Sequence, residues 1–188
     1  MNVNQPTLRG QFPLVKTTFN HQIFMYIWAY ISQTANMLVY FCNDTGSRSD
    51  GRENFMNDFE RAERMREVLE ALCETNKRIP VIVEGKKDLN ALRELGLVGE
   101  IITLHRGKSL YDFCADIEEK FGRVIILLDW DEKGEILRKA LSRYLKGHWE
   151  EYSRYRELLR LLCQKDIRDI EGIPKLLRKL EEDENPWD

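Results

Sequence analysis

The chain has 188 residues, enough for one domain with additional segments, and its 43% hydrophobic and 32% charged residues are typical of a globular protein. The net charge of −3 excludes a strongly basic protein, so a polyanion site would have to be a local basic patch. The four cysteines form no CxxC pair and no zinc-ligand spacing, which predicts free thiols and a cytoplasmic location.

Residues 1–55 are predicted to be an apolar N-terminal extension followed by a linker. Residues 23–42 are apolar and aromatic over about the length of a membrane span. Three interpretations stay open. The extension is not part of the working protein, which then starts at Met56; it is a membrane- or partner-binding helix; or it is a helix packed on the domain. A membrane partner is expected only if residues 23–42 are a real anchor.

A leading helix is predicted within residues 56–77. Its apolar residues recur at helical spacing, and Asn57 with Glu60 has the spacing of a capping box. Pro80 interrupts the helical pattern and marks the start of a different region.

Residues 78–150 alternate between apolar β-branched runs and amphipathic segments. Strands are predicted at 79–83, 100–104 and 123–128, and helices at 87–95, 109–121 and 132–146. This alternation favours right-handed βαβ units and a parallel sheet with helices on both faces. A short piece at 148–151 would bring the sheet to about four strands.

Residues 151–188 are predicted to be C-terminal helices and an acidic tail. The helices are expected at about 152–164 and 173–182, and the chain ends in EEDENPWD.

Three acidic residues follow predicted strands. Glu84 ends the first strand, and Asp129 and Asp131 end the third. Because ligands of open α/β sheets bind at the carboxyl ends of the strands, these carboxylates are expected to converge if the two strands are neighbours. Clustered carboxylates repel one another unless a proton or a cation is present, and an oxygen-only ligand set favours Mg²⁺ or Mn²⁺.

Basic residues lie in the loops at the same edge. They are Lys86, Lys87, Arg106, Lys108 and Lys133. A metal together with lysine and arginine side chains is suited to bind phosphate. Simpler interpretations stay open, because Asp131 alone suits a helix N-cap and the lysines alone suit solvated loops.

The pair of motifs, VEGKKD at 83–88 and DWDEKG at 129–134, resembles the Toprim domain. That domain is shared by type IA topoisomerases, bacterial primases, overcoming-lysogenization-defect nucleases and the ribonuclease that matures 5S rRNA. The resemblance covers about residues 78–150 and implies a Rossmann-like α/β Toprim fold. In length and C-terminal helices the chain further resembles the small stand-alone archaeal Toprim proteins.

The resemblance implies that Glu84 acts as general acid/base or metal ligand and that Asp129 and Asp131 hold Mg²⁺. The implied reaction is cleavage or transfer of a DNA or RNA phosphodiester, by a small nuclease, a primase-related protein or a subunit of a larger nucleic-acid-processing complex. No tyrosine nucleophile or zinc module can be assigned, which argues against topoisomerase activity and complete primase activity.

Two alternatives to an active nuclease stay open. The first is a non-catalytic, metal-dependent module that binds nucleic acid or a partner. The second is a haloacid-dehalogenase-type phosphatase, whose D-x-D-x-[TV] motif would require Thr or Val at the position of Lys133. Its aspartates also usually follow the first strand rather than the third.

Overall fold

The computed structural model describes residues 56–104 and 107–182. The chain divides into two compact units, and these residues belong to the second, Glu53–Asp188. The predictions for residues 1–55, for Arg106 and for the acidic tail beyond Glu182 lie outside the described residues.

Three short parallel strands form the sheet of the described region. They are β1 (Val81–Val83), β2 (Ile101–Thr103) and β3 (Ile125–Ile126), in the order β2-β1-β3. Val81 is in register with Ile101 on one side and Ile125 on the other. The first and third strands are therefore neighbours, as convergence of the acidic residues requires.

Helices follow each strand, which confirms an α/β fold with a parallel sheet. The α-helices are α1 (Asp58–Asn76), α2 (Lys86–Glu94), α3 (Leu110–Lys120), α4 (Glu132–Tyr144), α5 (Ser153–Cys163) and α6 (Ile173–Glu182). Local signals mark their ends. Asn57 and Glu60 form the predicted capping box of α1, and Gly96, just beyond α2, has a φ of +96° that favours glycine.

The fourth strand expected at 148–151 is not present in the described residues, and a 3₁₀ turn occupies Glu150–Tyr152. Gly147 has a φ of +92°, and its N–H donates to the Glu150 carboxylate at 2.9 Å, so the chain turns here. One sheet-like bond remains, from the Val124 N–H to the His148 carbonyl at 2.9 Å.

Two apolar clusters cover the opposite faces of the sheet. Val81 and Val83 point into one cluster, which contains side chains from α1, α5 and α6, whereas Ile82 points into the other, with side chains from α3 and α4. This alternation follows from the two-residue period of a strand. The C-terminal helices are therefore part of the core that supports β1.

The described residues contain no helix that is both long enough and apolar enough to cross a bilayer. The apolar segment 23–42 lies outside this range.

Candidate functional site

Glu84 follows β1 directly, and its carboxylate is largely buried, with 11% of the side chain exposed. Its Oε2 accepts a hydrogen bond from Lys133 Nζ at 2.7 Å. Its Oε1 is buried and has no hydrogen-bond partner among the described residues. A buried carboxylate oxygen without a partner is costly, so it marks a place where a proton or a ligand would be stabilising.

Asp129 lies three residues beyond the end of β3. Its Oδ1 accepts a hydrogen bond from the Ile170 N–H at 2.8 Å. Burial raises the pKa of Asp129 to about 7, against the opposing effect of the Ile170 N–H, and the negative charges of Asp88 and Glu84 raise it further. The charge of Glu84 therefore acts on Asp129 across the neighbouring strands.

Asp131 is exposed and caps α4. Its Oδ1 accepts a hydrogen bond from the Gly134 N–H at 2.6 Å. The N-cap interpretation is thus confirmed. It does not exclude a ligand, because a carboxylate has a second oxygen.

Two further acids near this site were not singled out by the sequence analysis. Asp88 is 6% exposed, and its Oδ2 accepts a hydrogen bond from the Gly85 N–H at 2.9 Å. Burial raises its pKa, and the charges of Glu84, Glu171 and Asp169 add to the shift. The available signal was the spacing in VEGKKD, which places Asp88 one helical turn beyond Glu84.

Asp169 is the other acid, and it lies in the connection between α5 and α6. Its negative charge raises the pKa values of Asp88 and Asp129. Its Oδ1 accepts a hydrogen bond from the Gly172 N–H at 2.7 Å. No local pattern connects this loop to the strand ends, so only the folded chain reveals its contribution.

Gly134 allows α4 to approach the site closely. A Cβ atom at this position would lie 2.2 Å from the Asp129 carbonyl oxygen and 3.0 Å from Glu84 Oε1. The absence of a side chain is therefore a steric requirement, and it accounts for the glycine of the DWDEKG motif.

The loop between α5 and α6 also contacts the residue between the two aspartates. The Trp130 N–H donates to the Arg168 carbonyl at 3.1 Å, and its indole Nε1–H donates to the Ile167 carbonyl at 2.8 Å. Trp130 thus packs beside the site and connects it to the C-terminal segment.

The structure places four of the five predicted phosphate-binding residues. Lys133 pairs with Glu84, Lys87 pairs with Glu171 at 3.2 Å, Lys108 pairs with Asp116, and Lys86 is exposed at the start of α2. Arg106 is outside the described residues. Only Lys133 is thereby brought into contact with a predicted acidic site residue in the described region.

Across residues 56–104 and 107–182, no group of three Asp, Glu, His or Cys side chains is arranged to hold a metal ion. The donor chemistry nevertheless fits a hard divalent cation. Glu84 has an unpartnered buried oxygen, and burial together with the nearby carboxylates of Asp88 and Glu84 raises the pKa of Asp129. Oxygen ligands of this kind suit Mg²⁺ or Mn²⁺.

No protein-family model matches the chain. A UPF0292 protein of Methanosarcina acetivorans is 39% identical over 124 residues, covering 64% of this chain and 84% of that protein. A UPF0292 protein of Thermococcus onnurineus is 39% identical over 122 residues, covering 64% and 89%.

A solved structure of a putative protein from Aquifex aeolicus is 28% identical, with a TM-score of 0.48, and covers 56% of this chain and 94% of that one. The names of the archaeal relatives state a family and no activity. Identity of 39% over most of the length of these relatives shows that the chain belongs to the UPF0292 protein family.

Proposed function

We propose that this protein is a Mg²⁺- or Mn²⁺-dependent Toprim protein that cleaves or transfers a phosphodiester of DNA or RNA, as nucleases and primases do. The observation that carries the proposal is the juxtaposition of Glu84 and Asp129. The two acids follow the neighbouring strands β1 and β3, and the charge of Glu84 raises the pKa of Asp129. The proposed Rossmann-like Toprim fold is supported by the parallel order β2-β1-β3 and the two-sided helical cover.

In this proposal Asp129 and Asp131 hold the cation, and Glu84 holds it or exchanges a proton with the reacting oxygen. The bound cation would polarise the phosphoryl oxygen and neutralise developing charge. Glu84 suits proton exchange because its Oε1 is buried and lacks a partner in the described region. Lys133 holds the other carboxylate oxygen in place through its 2.7 Å contact.

The lysines would bind the phosphates of the substrate. Lys86 and Lys87 are exposed in the first turn of α2, whose N-terminus carries a partial positive charge. Since the net charge of the whole chain is −3, binding would depend on this local patch and on the cation. A larger nucleic-acid-processing complex is the proposed setting if the isolated chain binds weakly.

The test is incubation of the full chain with structured RNA, single-stranded DNA and supercoiled plasmid, in Mg²⁺, Mn²⁺ or EDTA. We expect products that require the metal and that fall by about 10²–10⁴-fold in Glu84→Gln, which removes an acid/base group. Glu100→Gln is the matched control, because Glu100 is exposed and precedes β2 at the opposite edge of the sheet. Equal metal-dependent cleavage by wild type and Glu84→Gln would contradict the role of Glu84.

A non-catalytic, metal-dependent binding module is the second candidate. It is favoured by the ion pair of Lys133 with Glu84, which neutralises the proposed acid/base. Binding of nucleic acid that requires Mn²⁺, with no product on any of the three substrates, would select this candidate.

A further inference from the structure

Arg156 on α5 is a buried cation outside the two sequence motifs. Only 2% of its side chain is exposed. A guanidinium stays charged in proteins, so a buried one requires several acceptors. Those acceptors lie at the carboxyl end of β3 and on two helices.

The guanidinium binds two consecutive backbone carbonyls where the chain leaves the sheet. Arg156 Nε donates to the Leu128 carbonyl at 2.9 Å, and Nη2 donates to the Asp129 carbonyl at 2.7 Å. The preceding sheet bond runs from the Leu127 N–H to the Ile82 carbonyl at 2.9 Å. Arg156 therefore holds the peptide groups directly beyond the last bond of this strand to β1.

Two carboxylates fix the guanidinium in turn. Nη2 lies 3.1 Å from Glu135 of α4, and Nη1 lies 3.3 Å from Glu157 of α5. Because the planar fork of arginine can engage both carbonyls and both acids, a lysine ammonium cannot reproduce this set of contacts. The side chain thus connects α4, α5 and the end of β3.

Other contacts leave the Asp129 peptide little freedom. Gly134 approaches the Asp129 carbonyl oxygen so closely that a Cβ at Gly134 would lie 2.2 Å from it. The Asp129 carboxylate accepts a hydrogen bond from the Ile170 N–H at 2.8 Å. A displaced Asp129 carbonyl would move the carboxylate relative to Glu84. Small displacements of this kind are costly to binding and catalysis.

We propose that Arg156 is a positioning residue, which fixes the direction of the Asp129 carboxylate by holding the Leu128 and Asp129 carbonyls. Its effect on cation affinity rests on the function proposed above, whereas its effect on the Asp129 backbone does not. The C-terminal helix α5 thereby becomes part of the site rather than a flanking element.

The experiment compares Arg156→Lys with Arg160→Lys in the full chain. Arg160 is the matched control, because it lies on the same helix and pairs with Glu157 at 3.1 Å but makes no contact with the β3 end in the described region. The first measurement is made without metal, from the amide NMR signals and hydrogen-exchange rates of Asp129, Trp130 and Ile170. We expect shifted signals and at least about tenfold faster exchange at Ile170 in Arg156→Lys only, since breaking a charged hydrogen bond costs about 1.5–3 kcal/mol.

The second measurement is Mn²⁺ affinity by calorimetry, well below the melting temperature. We expect about tenfold weaker binding in Arg156→Lys, wild-type binding in Arg160→Lys, and no added effect of Arg156→Lys in an Asp129→Asn background. Unchanged amide signals and exchange in Arg156→Lys would overturn the positioning role.

Failure of the proposed function can be distinguished from failure of the positioning role. If the proposed function is wrong, the wild-type protein binds no Mn²⁺, and the amide measurement without metal still tests the role of Arg156. If Arg156→Lys does not fold, Glu135→Gln replaces it, since it removes one carboxylate that orients the guanidinium. The same amide changes, smaller in size, are expected, and their absence would again overturn the proposal.

Discussion

Asp129 has a pKa of about 7 because it is buried near other acids, and this value makes the stability of the metal-free protein depend on pH. An unfolded Asp titrates near 3.9. Between about pH 4 and 7 the folded state therefore binds more protons at Asp129 than the unfolded state does, so this group's contribution to stability falls as pH rises through that window. Asp88, whose pKa is also raised by burial, acts in the same direction.

We accordingly expect Asp129→Asn to flatten the pH dependence of stability between about pH 5 and 7 and to stabilise the metal-free protein at pH 8. Asparagine retains an oxygen that can accept the Ile170 N–H but carries no charge. Urea unfolding in EDTA at several pH values measures this. Asp131→Asn is the control, because Asp131 is exposed and asparagine also caps helices well. An unchanged pH slope in Asp129→Asn would contradict the assignment.

For a substitution at Gly134 we expect a change in stability opposite in sign to the one that helix propensity alone predicts. Replacing glycine by alanine inside a helix normally stabilises it by about 1 kcal/mol. Here the new Cβ would lie 2.2 Å from the Asp129 carbonyl oxygen, so Gly134→Ala should destabilise the protein by about 1–3 kcal/mol, as overpacking does. Chemical denaturation measures the change.

Gly122→Ala is the matched control for this substitution. A Cβ at Gly122 meets nothing within 4 Å, so its effect on the free energy of unfolding should be small. A neutral or stabilising Gly134→Ala would show that α4 can move away from the site at no cost.

At the scale of elements, the helices were predictable because their signals are local. Capping residues such as Asn57 and the glycine after α2 mark helix ends within a few residues of sequence. Strand lengths were not predictable. All five residues from Val124 to Leu128 are buried, yet only Ile125–Ile126 pair as a strand, since pairing depends on a neighbour rather than on apolar character.

The candidate site shows the same division between local and long-range information. The βαβ pattern predicted that Glu84 and Asp129 converge at one sheet edge if the first and third strands are neighbours. The sequence did not determine that adjacency, which the strand order β2-β1-β3 provides. The contacts of Asp129 with Ile170 and Arg156 span 41 and 27 residues and follow no periodic pattern. Nothing in the sequence distinguished this arginine from others on an amphipathic helix.

The C-terminal helices are expected to be necessary for folding of the strand region. Tyr155, Leu159 and Ile173 are among the C-terminal side chains in the same cluster as β1, and each buried side chain contributes about 1.5–3 kcal/mol. Their removal would expose the apolar side chains of β1 in this cluster to water. A chain ending at residue 150 should therefore lack cooperative unfolding in circular dichroism and calorimetry.

Addition of a peptide spanning 151–188 is the control for this truncation. Restored cooperative unfolding would show that the missing contacts, rather than a damaged fragment, caused the loss. A fragment that melts cooperatively without the peptide would contradict the shared core.

At the scale of the whole molecule, the predicted cation should stabilise the folded state. A ligand that binds only the folded chain at 100 times its dissociation constant adds about 2.7 kcal/mol. Mn²⁺ should thus raise the melting temperature of the wild-type protein measurably, and the effect should disappear in the Asp129→Asn, Asp131→Asn double variant. Equal shifts of the melting temperature in the wild type and the double variant would show that the cation binds at another site.

The contact between Lys133 and Glu84 means that the protein carries its own counter-ion. The amine lies 2.7 Å from Glu84 Oε2, while 78% of the lysine side chain is exposed. An external cation bound at Oε2 would compete with this amine, whereas Oε1 has no such competitor in the described region. Under the proposed function, a divalent ion at Oε1 would add two positive charges beside an amine that already faces solvent. The ion and the amine would then attract an oxyanion such as a phosphate together.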